Sequence, residues 1–136
     1  MPERVRVRKD VLAAMLEQAR SAGGAECCGL LAGRHAAITR ILPARNAAQR
    51  PESEYEIAPE ELFRLMREIR GAGLEMLGIY HSHPSGGNSP SASDVERAFY
   101  PEAAYFIVSP REDAGRAVRA FAIRVGAVAE LEIVAD

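Results

Sequence analysis

Short apolar runs, each closed by glycine or proline, alternate with two helical stripes, and this alternation constrains the fold more than any other feature. Cys28-Gly-Leu-Leu-Ala32, Leu74 to His83 and Ala104 to Val108 read as buried strands. The first stripe starts at Asp10. Val11, Leu12, Met15, Leu16 and Ala19 share one face, and Gly23-Gly24 stops it. The second starts at Pro59, whose ring suits a first helical position, with Glu60 and Glu61 complementing the positive end of the helix dipole. Leu62, Leu65, Met66 and Ile69 form its stripe, and Gly71 and Gly73 end it. Arg4 to Arg8 reads as a short edge strand, Ala37 to Leu42 as a strand after a turn at Gly33, and Tyr55-Glu-Ile57 as a strand leading into the second helix. Pro43 to Ser53 is a polar connection. Arg116 to Val125 and Ala127 to Val134 form a hairpin turning at Gly126. One α/β or α+β layered domain over residues 1–136 is expected.

Charge and cysteine content narrow the function classes. Seventeen basic residues against 19 acidic ones give a net charge of −2. The absence of a basic footprint argues against nucleic acid or an anionic membrane as a partner. No apolar run approaches the roughly 20 residues that span a bilayer, and Met1-Pro2-Glu3-Arg4 lacks a signal-peptide layout, so a cytoplasmic protein is expected. Cys27 and Cys28 are adjacent, too close for ordinary disulfide geometry, and are expected to be free thiols.

The chemistry concentrates in His81-Ser82-His83. Side chains two apart on a strand share a face, so both imidazoles converge. Taken alone, such a pair is ordinarily two polar strand-end residues facing solvent. The downstream spacing changes that. Seven residues separate His83 from Ser91, and Asp94 follows three positions later. Serine and aspartate at that spacing share one face of a first helical turn, and a Pro84 to Pro90 loop is long enough to fold that face over the strand end. Two imidazoles and a carboxylate, with a fourth position left to water, are the ligand set of a catalytic zinc site. Ser91-x-x-Asp94 also reads as a capping box, which is common and weak alone. Glu26 stands just before a buried apolar strand. It is either a solvated strand-start residue or an unligated carboxylate placed to take a proton from an attacking water.

His81-Ser-His83-Pro84, Ser91 and Asp94, preceded by Glu26-x-Cys28-Gly29-Leu-Leu-x-Gly33, resemble the JAMM (MPN+/JAB) zinc metalloproteases of short, stand-alone type. The likeness extends through Asn46, Tyr55-Glu-Ile-x-Pro59 and Ala104 to Val108, and no motif residue is replaced. It implies an α/β, cytidine-deaminase-like fold, with a curved, mostly antiparallel sheet flanked by helices. It also implies one Zn2+ per chain held by His81, His83 and Asp94. Glu26 would be general base and then acid, and Ser91 the donor to the developing oxyanion. The implied reaction is hydrolysis of an amide after the C-terminal glycine of a ubiquitin-like protein, a sulfur carrier joined to cysteine or a peptide. The alternative is a non-catalytic MPN-type scaffold, against which the intact Glu26 and ligand set count. A homodimer is left open.

Other residues read more plainly. Cys28 has no neighbouring histidine and suits a small buried strand position. His35 at a turn is solvated, and Arg34, Arg40 and Arg45 read as surface residues. Gly86-Gly87-Asn88 lacks the Lys-Ser/Thr of a phosphate loop and reads as a flexible metal-site loop. Asn46 either orients the site's water or caps a turn.

Overall fold

The computed structural model describes residues 3–111 and 116–136; Met1 and Pro2, part of the N-terminal stretch read for a leader, lie outside them. The elements run β1 (Arg4–Val7), α1 (Lys9–Ser21), β2 (Cys28–Arg34), β3 (Ala37–Ala44), α2 (Pro59–Gly71), β4 (Glu75–Ser82), α3 (Ala92–Glu96), β5 (Ala104–Val108), β6 (Val118–Arg124) and β7 (Ala127–Ala135). The strands close in the order β1-β3-β2-β4-β5-β6-β7. Among the described residues, four strand pairings are antiparallel, two of them irregular, and β1 with β3, β1 with β7, and β4 with β5 are parallel. Closure goes beyond the curved sheet expected, because short β1 bridges β3 and β7. Among the described residues, no helix is long and apolar enough to cross a membrane.

Strand alternation divides the apolar residues between two faces. Leu31, Tyr80, Phe106, Val108 and Ala120 pack with Val11, Met15 and Ala19 of α1. Leu30, Ile79, Tyr105, Ile107 and Phe121 pack with Leu65 and Ile69 of α2. His81 and His83 continue the parity of Ile79 and lie on the α2 side, whereas Ser82 faces the α1 side.

Three local expectations need correction. Gly33 is not a turn but lies inside β2 at an irregularity, where a Cβ would sit 1.8 Å from the Ala37 carbonyl oxygen. The turn follows it at His35 (φ 53°) and Ala36 (φ 60°), a left-handed pair that suits a tight hairpin without glycine. Pro43 belongs to β3, opposite Gly29 and beyond the two residues that β1 pairs, so among the described residues no strand covers that edge and its missing N–H is tolerated. Tyr55-Glu-Ile57 joins no strand; the Glu54 carbonyl and the Glu56 amide meet the Asn46 side chain instead. His35 is exposed, as expected, and both cysteines are free and buried.

Candidate active site

β4 delivers His81 and His83 at its end, and Ser91 caps α3 so that Asp94 turns toward them. His81 Nε2 lies 3.1 Å from His83 Nε2 and 3.1 Å from Asp94 Oδ1; His83 Nε2 lies 3.0 Å from Asp94 Oδ2. The capping box is present. Ser91 Oγ accepts from the Asp94 amide at 3.0 Å, and Asp94 Oδ2 accepts from the Ser91 amide at 2.9 Å. This cap aims the carboxylate, and it leaves the serine O–H free to donate elsewhere.

The donor set suits a cation. The Gly87 carbonyl, 2.8 Å from His83 Nδ1, can only accept, so that nitrogen carries a proton. In the neutral ring, Nε2 then presents a lone pair toward both the His81 nitrogen and a carboxylate. Three electron-rich atoms pointing at one another repel unless a proton or a metal lies between them. Their spacing is close to the roughly 3.3 Å that a tetrahedral set about zinc needs. Electrostatics carry the same signature. Burial lowers the pKa of His81. His83 is pulled down by burial but raised overall by Asp94 and the Gly87 carbonyl. Burial opposes ionisation of Asp94, yet hydrogen bonds from both histidines hold its carboxyl far below the usual range.

Glu26 is held by its main chain beside this set. Its amide donates to the Pro51 carbonyl at 2.7 Å and its carbonyl accepts from Asn46 Nδ2 at 3.0 Å. The next amide, Cys27, donates to Ser82 Oγ at 2.9 Å, and the Ser82 amide donates back to the Cys27 carbonyl at 3.0 Å. The serine between the two histidines therefore pins the strand entry that follows Glu26. Burial raises the Glu26 carboxyl from 4.5 to about 7; His83 pulls the other way, and Asp94 and Glu54 add to the rise. A carboxyl near neutrality is suited to take and return a proton.

Asn46 belongs to the frame of the site. Its Nδ2 reaches the Glu26 and Glu54 carbonyls, and its Oδ1 accepts from the Ala48 and Glu56 amides. Tyr55, which this clasp presents, stacks on His81 with ring centroids 4.4 Å apart and planes inclined by 17°. The Pro84 to Pro90 loop is tethered at two points. Asn88 Nδ2 donates to the Arg116 carbonyl at 2.6 Å, and Arg119 donates to Ser89 Oγ at 3.0 Å. Cys28 is fully buried, and burial pushes its thiol up to about 12. Arg34 and Arg40 are engaged with the Gly73 carbonyl and Glu68, while Arg97 lines a cleft of about 250 Å³ beside Asp94 with Leu30, Tyr55, Ile57, Leu62 and Tyr100. Sequence reasoning missed Tyr55, Ser82 and Arg97 as parts of the site. The signal for Ser82 was its place between the histidines, on the opposite face of the strand.

A mixed, mostly antiparallel sheet presenting a His-x-His pair and an aspartate beside a buried glutamate has the make-up of a metal-dependent hydrolase. Comparison with known proteins gives the family. Residues 8–123 match the prokaryotic homologs of the JAB domain. The chain is 41% identical over 105 residues to the desampylase of Haloferax volcanii, covering 76% of each chain. It is 34% identical over 126 residues to the CysO-cysteine peptidase of Mycobacterium tuberculosis, covering 91% of this chain and 86% of that one. Its fold matches the JAB1/MPN domain protein AF2198 of Archaeoglobus fulgidus with a TM-score of 0.63 at 22% identity, over 96% of this chain and 98% of that one. The chain belongs to the prokaryotic JAB/JAMM family of metallopeptidases.

Proposed function

We propose that this chain acts as a single domain that holds one zinc ion through His81, His83 and Asp94 and hydrolyses the amide after the terminal glycine of a ubiquitin-like carrier protein. When bound, zinc supplies Lewis acidity and brings the pKa of water toward neutrality. The Glu26 carboxylate takes a proton from the attacking water and returns it to the leaving amine. The free O–H of Ser91 donates to the oxygen that gains charge as the carbonyl becomes tetrahedral. The observation that carries this reading is a buried carboxylic side chain, Glu26, beside the converging His81, His83 and Asp94. A scaffold needs no such group.

The substrate reading rests on the cleft edge and on the relatives. The Haloferax relative is a desampylase, and the mycobacterial one is a CysO-cysteine peptidase. In this chain Glu54 and Glu56 spend their main-chain groups inward, on Arg50, Asn46 and Ala47. Tyr55 and Ile57 make no main-chain hydrogen bond among the described residues. These unused N–H and C=O groups beside the cleft offer main-chain partners to an extended tail that adds as a strand. Glycine at the end of that tail lets its carbonyl approach the site closely.

The test incubates zinc-loaded protein with a carrier joined through its Gly-Gly end to cysteine or a short peptide and, separately, with ubiquitin chains, following product mass. Release of the intact carrier ending in glycine, with ubiquitin chains cut poorly, is expected. Cleavage of ubiquitin chains alone would overturn the carrier assignment. No cleavage of either, with zinc bound, would overturn the hydrolase reading.

A further inference from the structure

The two histidines of the donor set are restrained in different ways. His83 is oriented by a hydrogen bond from Nδ1 to the Gly87 carbonyl at 2.8 Å. His81 is 2% exposed, yet its Nδ1 is buried with no hydrogen-bond partner among the described residues. A histidine that binds metal through Nε2 ordinarily has its ring plane fixed by an acceptor at the other nitrogen. His81 has instead a ring lying flat against it. Tyr55 stacks at 4.4 Å and 17°, whereas the His83 ring is tilted by 59° at 4.9 Å. The Tyr55 hydroxyl makes no hydrogen bond among the described residues, so the ring face is what bears on His81. The ring is itself held firmly. The Glu54 carbonyl accepts from Asn46 Nδ2 at 2.8 Å and the Glu56 amide donates to Asn46 Oδ1 at 3.1 Å, clamping the chain on both sides of Tyr55.

We propose that Tyr55 is a positioning residue for the metal, its ring face fixing the His81 imidazole in the orientation that turns Nε2 toward His83 and Asp94. This rests on the metal reading given above but is independent of the substrate. Without the ring, His81 can turn about its side-chain bonds, and that freedom must be lost again each time metal binds. Loss of an orienting partner typically weakens metal binding about 10–100-fold, and a stacked ring without a hydrogen bond belongs at the lower end.

The experiment measures zinc affinity by chelator competition for the wild type, Tyr55→Phe and Tyr55→Leu, and records the visible spectrum of each cobalt-substituted protein. Tyr55→Phe is expected to match the wild type in both. Tyr55→Leu is expected to bind zinc about tenfold more weakly, with an altered cobalt spectrum, while the metal-free protein keeps its circular dichroism and thermal transition. Should Tyr55→Leu fail to fold, Tyr55→Met, an unbranched chain that fills irregular gaps, carries the same comparison. Wild-type affinity in the leucine or methionine variant overturns the proposal. So does an equal loss in Tyr55→Phe, since the hydroxyl rather than the ring would then be responsible. A wild type that takes up no zinc overturns the metal reading itself, and Tyr55's role with it.

Discussion

Replacing Glu26 with glutamine separates the energetic cost of burying an acid from its use. Burial raises this carboxyl from 4.5 to about 7, with His83 opposing and Asp94 and Glu54 adding to the rise. The unfolded chain ionises Glu26 near the ordinary value, while the metal-free native chain does so only near neutrality. Between those two pH values the native state binds more protons, so its stability falls as pH rises through the window. Each tenfold change in an ionisation constant is worth about 1.4 kcal/mol, which makes the full loss roughly 3 kcal/mol. Glutamine brings an amide that also wants partners, so the gain expected on substitution is about 1–3 kcal/mol. Metal-stripped Glu26→Gln should therefore be more stable than the wild type by that amount at about pH 8, and no more stable at about pH 4, where both side chains are neutral. His83 and Asp94 titrate in both proteins, so the difference reports Glu26 and its coupling to them. Zinc-loaded Glu26→Gln should retain metal and lose hydrolysis by about 10²–10⁴-fold. Urea denaturation across this pH range, with chelator present, measures the first effect, and steady-state cleavage of a carrier fusion measures the second. A stability difference that does not change with pH, or a glutamine variant less stable at the alkaline end, would refute the burial argument. Undiminished cleavage would refute the proton-transfer role.

Ser91→Ala removes the acceptor for the Asp94 amide and should cost about 0.5–2 kcal/mol of stability, while lowering kcat more than it changes KM; a change in KM alone would confine Ser91 to its cap. Gly29→Ala places a Cβ 2.5 Å from both the Leu42 carbonyl oxygen and the Tyr80 hydroxyl, so denaturant unfolding should show a loss of at least about 1–3 kcal/mol, and unchanged stability would mean that the strands separate freely there. Asn88→Ala leaves the Arg116 carbonyl without its 2.6 Å donor and frees the loop whose Gly87 orients His83. Thermal unfolding should register about 1–3 kcal/mol, with weaker zinc retention, and full retention would mean that the remaining tethers suffice.

The elements legible in the sequence were those whose burial is one-sided or complete. Ala104 to Val108 was visible to the residue because all five positions are buried. Both long helices were visible from their stripes, although α1 has no side-chain cap and begins one residue before Asp10. What failed depended on partners across the sheet, outside the segment being read. Pro43 looks like a strand breaker until its position at the β3 edge is known. Gly33 looks like a turn until the Ala37 carbonyl is seen in the space a side chain would fill. Closure through β1 and β7 pairs the first strand with the last, a contact with no local signature.

The site divides along the same line. The convergence of His81 and His83 follows from the period of a strand, and the aim of Asp94 from a helix cap, so both were readable over a few residues. The place of Glu26 was not, because it depends on register. Cys28 pairs with His81 across β2 and β4, and a one-residue slip would turn both histidines to the α1 side. Ser82 guards against that slip. From the opposite face of the same strand, its hydroxyl takes the Cys27 amide and its own amide meets the Cys27 carbonyl. The chain thus uses alternate residues of one strand end for two purposes. Odd positions carry the donor atoms, and the even one locks the register that brings the general-base candidate beside them. A serine there is short enough to reach the neighbouring main chain and polar enough to satisfy a buried amide, which neither alanine nor valine at that position would do.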